Sequence, residues 1–302
     1  MIGNTFDVVG IGENSVDVVC RIPGLPSANS KMPITSRRLL TGGQVATAMC
    51  TCARLGVRAS YVGTFGNDDQ ARTIRETLQA YGVDTAHALT REVPNRCAVI
   101  LIDDRTGERS VLWERDPALV LRPDDLPLDV IRAARVVHVD NIDEETAIAA
   151  ARLARAAGAE VTTDIDVITA RTPDLVAAAT FPIFAEHVPA ALTGEPDPER
   201  ALRQLRQRHD GRLCVTLGAR GALMLDGDRL YQTAGFAVEA VDTTGAGDVF
   251  RGALIVALLR GDGPEEMLRF ACAAAAVSCT REGAIGGVPS AADVTEVLTT
   301  RA

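Results

Sequence analysis

Short apolar strands alternate with helices across residues 136–217, and this alternation limits the fold more than any other feature of the chain. Repeated strand–helix units of this length give parallel strands with helices on both faces of the sheet. The sequence therefore predicts a three-layer α/β/α fold around a central, mostly parallel sheet. The predicted strands are Val136–Val139, Glu160–Thr163, Phe181–Phe184 and Leu213–Leu217, and the predicted helices are Glu145–Ala157, Thr172–Ala179 and Asp197–His209.

Three strand-like segments nearer the amino terminus do not fit this alternation. They are Val16–Ile22, Thr35–Leu40 and a hairpin from Cys97 to Trp113 with its turn at 103–107. Because no helix crossover connects them, they cannot extend the parallel sheet. We expect a small β-sheet that covers the ligand edge of the main sheet. The chain is then one domain over 1–302, with lid strands contributed by about 14–40 and 96–115.

Charge and composition exclude several classes of protein. The net charge of −9 gives no basic footprint for nucleic acid or an anionic membrane. Lys31 is the single lysine, and Ser30-Lys31-Met32 is not a Walker A loop. The seven cysteines show no zinc or disulfide spacing, and no leader or membrane-length apolar stretch is readable. We expect a cytoplasmic globular protein with no nucleic-acid or membrane partner.

The strongest chemical signal is the glycine-rich segment from Val241 to Ala253. Gly245 and Gly247 allow the backbone to approach a ligand closely, and the segment leads into a predicted helix. Free amides at a helix start favour a phosphate or developing negative charge. Asp248, in the first turn, could accept a proton from a hydroxyl placed beside that phosphate. Taken alone, Asp248 fits a simple helix cap equally well.

The chain resembles the PfkB family of ribokinase-like carbohydrate kinases from end to end. Asp242-Thr243-Thr244-Gly245-Ala246-Gly247-Asp248-Val249-Phe250 is similar to the second signature of that family, D-T-x-G-A-G-D-x-F. Residues 42–47, followed by Gly63–Asp69, resemble the first signature. Residues 12–17 and 283–289 also fit. The resemblance implies a ribokinase-like fold and an enzyme that transfers phosphate from ATP, with Mg²⁺, to a sugar.

The resemblance also implies roles for individual residues. Asp248 would be the general base, and Gly245, Ala246 and Gly247 would form the anion hole for the transferring phosphoryl group. Substrate contacts would come from Asp17, Gly42, Gly43, Thr47, Asp140 and Lys31. Without the resemblance, Asp17 would be interpreted as a solvated strand residue.

On the nucleotide side, Thr216-Leu217-Gly218-Ala219-Arg220-Gly221 resembles the T-x-G-x-x-G loop of the family. The alanine-rich helix Phe270–Thr280 would place small residues such as Cys272 and Ala276 beside adenine, although core packing explains them as well. Asp242 and Thr244 would border a monovalent cation, K⁺ in many members. Glu186 would reach Mg²⁺ through water.

Two departures from the family pattern narrow the expectation. Thr47 stands where the first signature has Asn, and the N-x-x-E motif retains only Glu186. Within the family, residues 42–47, Asp164-Ile165-Asp166 and 278–281 are most similar to the sulfofructose and fructose kinase branch. Lys31 is the candidate for binding a sulfonate, but the other expected positions do not supply a cationic set. We therefore expect a neutral ketose or similar furanose, phosphorylated on a primary hydroxyl.

Three other functions compete with this one. Residues 10–15 approximate a dinucleotide fingerprint, but Ser15 replaces the third glycine and a strand follows, which argues against a dehydrogenase. A nucleoside kinase of the same fold stays open, as does a non-catalytic sugar-binding relative. We also expect a homodimer formed through the lid strands, because an exposed sheet edge or apolar face needs covering.

Overall fold

The computed structural model describes residues 6–106 and 108–300. The strands are β1 Val8–Ile11, β2 Ser15–Ile22, β3 Ser36–Gly42, β4 Ala59–Val62, β5 Thr64–Phe65, β6 Leu89–Thr90, β7 Cys97–Asp103, β8 Arg109–Glu114, β9 Val136–Asp140, β10 Glu160–Asp164, β11 Ile183–Phe184, β12 Leu213–Thr216, β13 Ala222–Asp226 and β14 Arg229–Thr233. The helices are α1 Gln44–Arg54, α2 Asp69–Ala80, α3 Leu128–Ala133, α4 Glu144–Ala156, α5 Thr172–Ala178, α6 His187–Thr193, α7 Pro198–Arg206, α8 Ala246–Arg260, α9 Pro264–Ser278 and α10 Ala291–Thr300.

The central layer is a sheet with the strand order β4-β1-β9-β10, continued by β11-β12-β13-β14. The two parts meet through parallel bridges between Thr162 and Phe181 and between Ile165 and Phe184. In this sheet order, the strands from β4 to β12 run parallel. Strand β13 pairs antiparallel with β12, and β14 pairs antiparallel with β13. Strands β1, β4 and β9 are buried throughout, as a sheet covered on both faces requires.

Helices cover both faces of this sheet and enclose two apolar cores. One core contains side chains of α1, α2, α8 and α9, and the other contains side chains of α4, α5 and α7. Helix α8 is buried along most of its length because it packs between α1 and α9. Its first turn is therefore held firmly at the carboxyl-terminal edge of the sheet.

Strands β3-β2-β7-β8 form a second sheet, which we call the lid sheet. Strand β2 pairs antiparallel with β3 and parallel with β7, and β7 pairs antiparallel with β8. Ser15 pairs with Gly42, so both strands of the β2–β3 hairpin meet the main domain at that end. Gly107, the last residue of the predicted 103–107 turn, lies outside the described residues, as do residues 1–5 and 301–302 of the predicted domain.

The sequence predictions match most elements to within two residues, and the mismatches have local causes. Strand β11 is limited to Ile183–Phe184, because Pro182 has no amide to donate to a ladder. Helix α9 begins at Pro264 rather than Phe270, with proline at a position where a free amide is not needed. The antiparallel pair β13–β14 was not predicted.

Candidate active site

The glycine-rich segment forms the start of α8. Gly245 is the residue before the helix and has the left-handed φ of 76°. The Ala246 amide donates to the Thr243 carbonyl at 3.3 Å, whereas the amides of Gly245 and Gly247 have no backbone acceptor among the described residues. Ala246, Gly247 and Asp248 then form the first turn of the helix. The predicted anion-hole residues and the predicted base thus lie together at the start of one helix.

Ala284 brings the anion-hole turn next to the predicted sugar residues. A Cβ on Gly245 would lie 2.5 Å from Ala284 Cβ, so the two backbones are in direct contact. A Cβ on Gly42 would lie 3.5 Å from the same Ala284 atom and 3.4 Å from Asp17 Oδ2. Asp17 Oδ1 accepts a hydrogen bond from Ser15 at 3.3 Å. Asp17, Gly42, Ala284 and Gly245 therefore form one continuous wall.

Asp242 fixes the position of the loop that carries Ala284. Its Oδ1 accepts a hydrogen bond from the Thr244 amide, and its Oδ2 accepts one from the Gly283 amide, both at 2.9 Å. The same loop donates from the Ile285 amide to the Thr41 carbonyl on β3 at 3.3 Å. A cleft of about 420 Å³ opens between the lid sheet and residues 240–243. Of the two predicted cation residues, Asp242 lines this cleft, whereas Thr244 follows its last lining residue in this loop, Thr243.

A buried charge cluster surrounds Asp248. Arg251 Nη2 lies 2.8 Å from Asp164 Oδ1, and both residues are at most 3% exposed. The carboxyl group of Asp164 is also within hydrogen-bonding reach of Asp248. Burial and the adjacent Asp164 carboxylate together raise the pKa of Asp248 well above its usual range. Two carboxyl groups and one guanidinium thus share a water-poor space at the end of β10.

Asp140 and Glu13 shape the loop after β1. Asp140 accepts hydrogen bonds from the Glu13 amide at 2.6 Å and the Ile142 amide at 3.1 Å. Glu13 forms a buried ion pair with Arg96, and burial raises the pKa of its carboxyl to about 7. Because both oxygens of Asp140 already accept backbone hydrogen bonds, its visible role is to fix this loop, and its contact with a sugar stays a prediction.

The remaining predicted sugar residues occupy different places. Gly43 precedes α1 with a φ of 98°, and the Glu13 carbonyl lies 2.7 Å from where its Cβ would be. Thr47 is fully buried in the first turn of α1, and its hydroxyl has no hydrogen-bond partner within the described ranges. Lys31 is exposed on the β2–β3 loop, which joins β3 at Ser36, the end of the strand that lies about 20 Å from Gly42 by strand rise. These contacts do not bring Lys31 to the other sugar residues.

The predicted nucleotide residues form two groups, one at the end of β12 and in the turn that follows it, and the other on α9. Thr216 ends β12, and Gly218 and Gly221 flank a short 3₁₀ turn with φ of 56° and 91°. Cys272 and Ala276 are 5% and 8% exposed on α9. Glu186, after β11, forms an exposed ion pair with Arg220 of the same 3₁₀ turn. The predicted Mg²⁺ carboxylate and the predicted nucleotide loop are therefore neighbours.

Sequence reasoning missed Glu13, Arg96 and the role of Arg251. Arg251 had a readable signal, because it is a charged residue within the apolar helix sequence that follows Asp248. Glu13 was readable as a carboxylate directly after a buried strand. Arg96 gave no local signal, since only the fold places the start of β7 beside the start of β2, next to Glu13.

A glycine-rich helix start, a carboxylate in its first turn and a covering β-sheet over a parallel sheet define a small-molecule phosphotransferase of the ribokinase-like fold. The fold prediction is confirmed by an Arabidopsis thaliana ribokinase solved with ribose and ATP, which superposes with a TM-score of 0.86 at 26% identity and covers 97% of this chain and 99% of that chain.

The chain belongs to the family described as pfkB family carbohydrate kinase, whose model matches residues 5–291. It is 31% identical to a probable fructokinase-4 of Arabidopsis thaliana, over 96% of both chains. It is also 31% identical to an ATP-dependent ribose-1-phosphate kinase of Halopiger xanaduensis, over 97% of this chain and 98% of the other. The predictions of the family and of a sugar kinase, a phosphotransferase with an alcohol acceptor, are thereby confirmed.

Proposed function

We propose that this kinase transfers the γ-phosphoryl group of ATP to a primary hydroxyl of a ketose or similar furanose, with Asp248 as general base. The observation that carries the proposal is the position of Asp248 at the same helix start as the amides of Gly245 and Gly247, which have no backbone acceptor among the described residues. Asp248 takes the proton of the sugar hydroxyl, whose oxygen forms a bond to the γ-phosphorus. The bond to the β,γ-bridging oxygen breaks, and ADP leaves.

The continuous wall described above supports the placement of the sugar. Asp17, Gly42 and Gly43 would hold sugar hydroxyls, since a carboxylate accepts two donors and glycine lets a ligand lie against the backbone. The amides at Gly245–Gly247 would stabilise negative charge on the transferring group. Thr216, Gly218, Gly221, Cys272 and Ala276 would line the nucleotide side.

The charges near the sugar site favour a neutral substrate. Arg96 is already paired with Glu13, and Arg115 is paired with Asp143 at 2.6 Å. Asp17 has no cationic partner among its hydrogen bonds, and burial raises its pKa. An anionic sugar would meet carboxylates with few free cations to offset them. The Halopiger relative is described as a kinase of a sugar phosphate. Sugar phosphates are therefore included among the substrates of the experiment below, where they test this argument.

The proposed binding of Mg²⁺ and the proposed binding of K⁺ depend on different residues. The described residues contain no group of three metal-ligating side chains, so we propose that ATP phosphates and water hold Mg²⁺, with Glu186 contacting that water. Mg²⁺ would neutralise phosphate charge during transfer. Asp242 and Thr244, in the loop tied to Gly283, would border K⁺ with backbone carbonyls.

We further propose a cytoplasmic homodimer that pairs through the lid sheet. Several large apolar side chains on that sheet are exposed: Leu39, Val99, Val111, Leu112 and Trp113. Apolar area of this kind on an edge-bearing sheet is characteristic of an interaction surface. Over residues 6–106 and 108–300, no helix is long and apolar enough to cross a membrane.

The test is ADP release from Mg-ATP across ketoses, aldoses, sugar phosphates and nucleosides, in K⁺ and in Na⁺. Asp248→Asn should lower kcat at least about 100-fold while leaving ATP affinity unchanged by calorimetry. Asp228→Asn, an exposed aspartate on the β13–β14 turn, is the matched control and should keep full activity. Turnover retained by Asp248→Asn would overturn the base assignment. Nucleosides as the best acceptors would overturn the substrate class.

A further inference from the structure

Arg251 lies directly beside the anion-hole turn and the proposed base. It stands three residues after Asp248 on α8, so the two side chains share one face of the helix. A Cβ on Gly247 would lie only 2.8 Å from Arg251 Nη1, which places the guanidinium against that glycine. Its other terminal nitrogen, Nη2, contacts Asp164 at 2.8 Å. The guanidinium therefore joins the anion-hole turn to the end of β10.

The buried ion pair of Arg251 and Asp164 carries a desolvation cost, which points to a role other than stabilising the fold. Arg251 is 3% exposed and Asp164 is 1% exposed, and burying such a pair commonly fails to stabilise a fold relative to apolar residues. Some polar atoms of this ion pair also lack a hydrogen-bond partner within the part of the chain that the structure describes. Among the described residues, Arg251 Nε donates no hydrogen bond and Asp164 Oδ2 accepts none, while Asp164 Oδ1 contacts Arg251 Nη2. Buried polar atoms left in this state are characteristic of functional sites.

The charged groups around Asp248 come from a small number of elements. Asp164 and Asp166 face it from the end of β10 and the residues that follow, and Arg251 faces it from its own helix. His138 on β9 faces Arg251, and burial together with that guanidinium lowers its pKa to about 3, so it is neutral. The facing parts of α1 and α9, residues 44–53 and 270–278, contain no charged residue. Among these groups, Arg251 is thus the cation that offsets the negative charges of Asp164 and Asp166 beside Asp248.

We propose that Arg251 and Asp164 are positioning residues that set the charge of the proposed base Asp248. Asp164 and Asp248 lie too close for both to ionise freely, and the Arg251 charge makes the ionised form of Asp248 accessible. Asp164 in turn holds the guanidinium in place beside Gly247. The inference deepens the proposed function and rests on Asp248 being the base.

The first test is the pH dependence of kcat/KM on the best sugar acceptor. Arg251→Gln should move the acidic limb to higher pH by at least about one unit, because it removes a positive charge close to the base. Asp164→Asn should move the limb in the opposite direction, and the double variant should return it towards the wild-type position. Arg251→Lys keeps the charge and should stay within about half a unit of wild type.

A matched control separates this role from a merely structural one. Arg212 and Asp226 form a part-buried ion pair at 3.4 Å beside the start of β12 and the end of β13, with side chains 32% and 37% exposed. Arg212→Gln should lower the melting temperature without moving the acidic limb. Single variants at Arg251 and Asp164 that lose activity equally at all pH values, with the limb unmoved, would overturn the proposal.

The second test needs no substrate and therefore distinguishes this inference from the proposed function. Without Arg251, Asp164 and Asp248 have folded-state pKa values raised further above their unfolded values. Their contribution to stability is then present at low pH and lost as the pH rises. The melting temperature of Arg251→Gln should fall relative to wild type between pH 5 and pH 8, and Asp164→Asn in the same chain should remove that slope. Parallel melting curves would overturn the inference, whereas a wild type inactive on every sugar would refute only the proposed function.

Discussion

Replacing Gly245 with alanine perturbs the proposed anion hole where it contacts Ala284. Gly245 has a φ of 76°, and a Cβ there would lie 2.5 Å from Ala284 Cβ and 2.6 Å from Ala284 Cα. Contacts this short with a neighbouring backbone cannot be relieved by rotating a side chain. Either the start of α8 or the 283–287 loop must therefore move, and both line the proposed site.

The expected loss in the free energy of unfolding has two parts, which a second glycine of the chain makes it possible to measure separately. A left-handed conformation costs a non-glycine residue about 1–2 kcal/mol, and overpacking adds about 1–3 kcal/mol. Gly261 ends the same helix with a φ of 79°, and nothing lies within 4 Å of its Cβ position. Gly261→Ala therefore carries only the first part. At about 2–4 °C per kcal/mol, Gly245→Ala should melt roughly 2–12 °C below Gly261→Ala.

Calorimetric melting and steady-state kinetics of the two variants check this reasoning together. Gly261→Ala should keep wild-type kcat, because its helix end is remote from the site. Gly245→Ala should lose about 100-fold in kcat or more, since a displacement of order 1 Å misplaces the anion-hole amides. The reasoning is refuted if the two variants melt together, or if Gly245→Ala melts lower yet turns over at the wild-type rate.

Two further predictions follow from groups outside that turn. Burial raises the pKa of Glu13 to about 7, so its neutral form stabilises the fold below about pH 4.5 and this contribution is lost as the pH rises through 7. Glu13→Gln should accordingly gain melting temperature relative to wild type from pH 5 to pH 8, and a pH-independent difference would contradict the assignment. If the proposed dimer through the lid sheet forms, Leu112→Glu, at a lid position that is 58% exposed, should convert it to monomer in sedimentation velocity, and a wild type that sediments as a monomer would refute the proposed dimer. Leu128→Glu, on α3 and 45% exposed, is the matched control and should leave the dimer intact.

Much of the fold was predictable because its signals are local. Alternating apolar strands and helices over 136–217 define a parallel sheet before any tertiary contact is known. The segments 16–22, 35–40 and 97–113 were separable from it because no helix connects them. The hairpin β13–β14 was not predicted, although Gly227-Asp228 between its two strands is a local turn signal.

The site was predictable only where a motif or a strand end carried the information. Asp248 and the glycines before it stand in one contiguous signature. Arg96, by contrast, approaches Glu13 only because β7 joins the lid sheet beside β2. No spacing in the sequence encodes that approach. Pairings between distant segments depend on sheet order, which local patterns leave undetermined.

The partner of Arg251 shows how far sequence reasoning could have been taken. A charge within an apolar helix must be paired, and the carboxyl ends of neighbouring parallel strands are where a partner should lie. The alternation supplies two candidates there, Asp140 and Asp164, which are register partners on β9 and β10. Only the structure separates them. Both oxygens of Asp140 are occupied by the amides of Glu13 and Ile142, so Asp164 is the carboxylate left for the guanidinium.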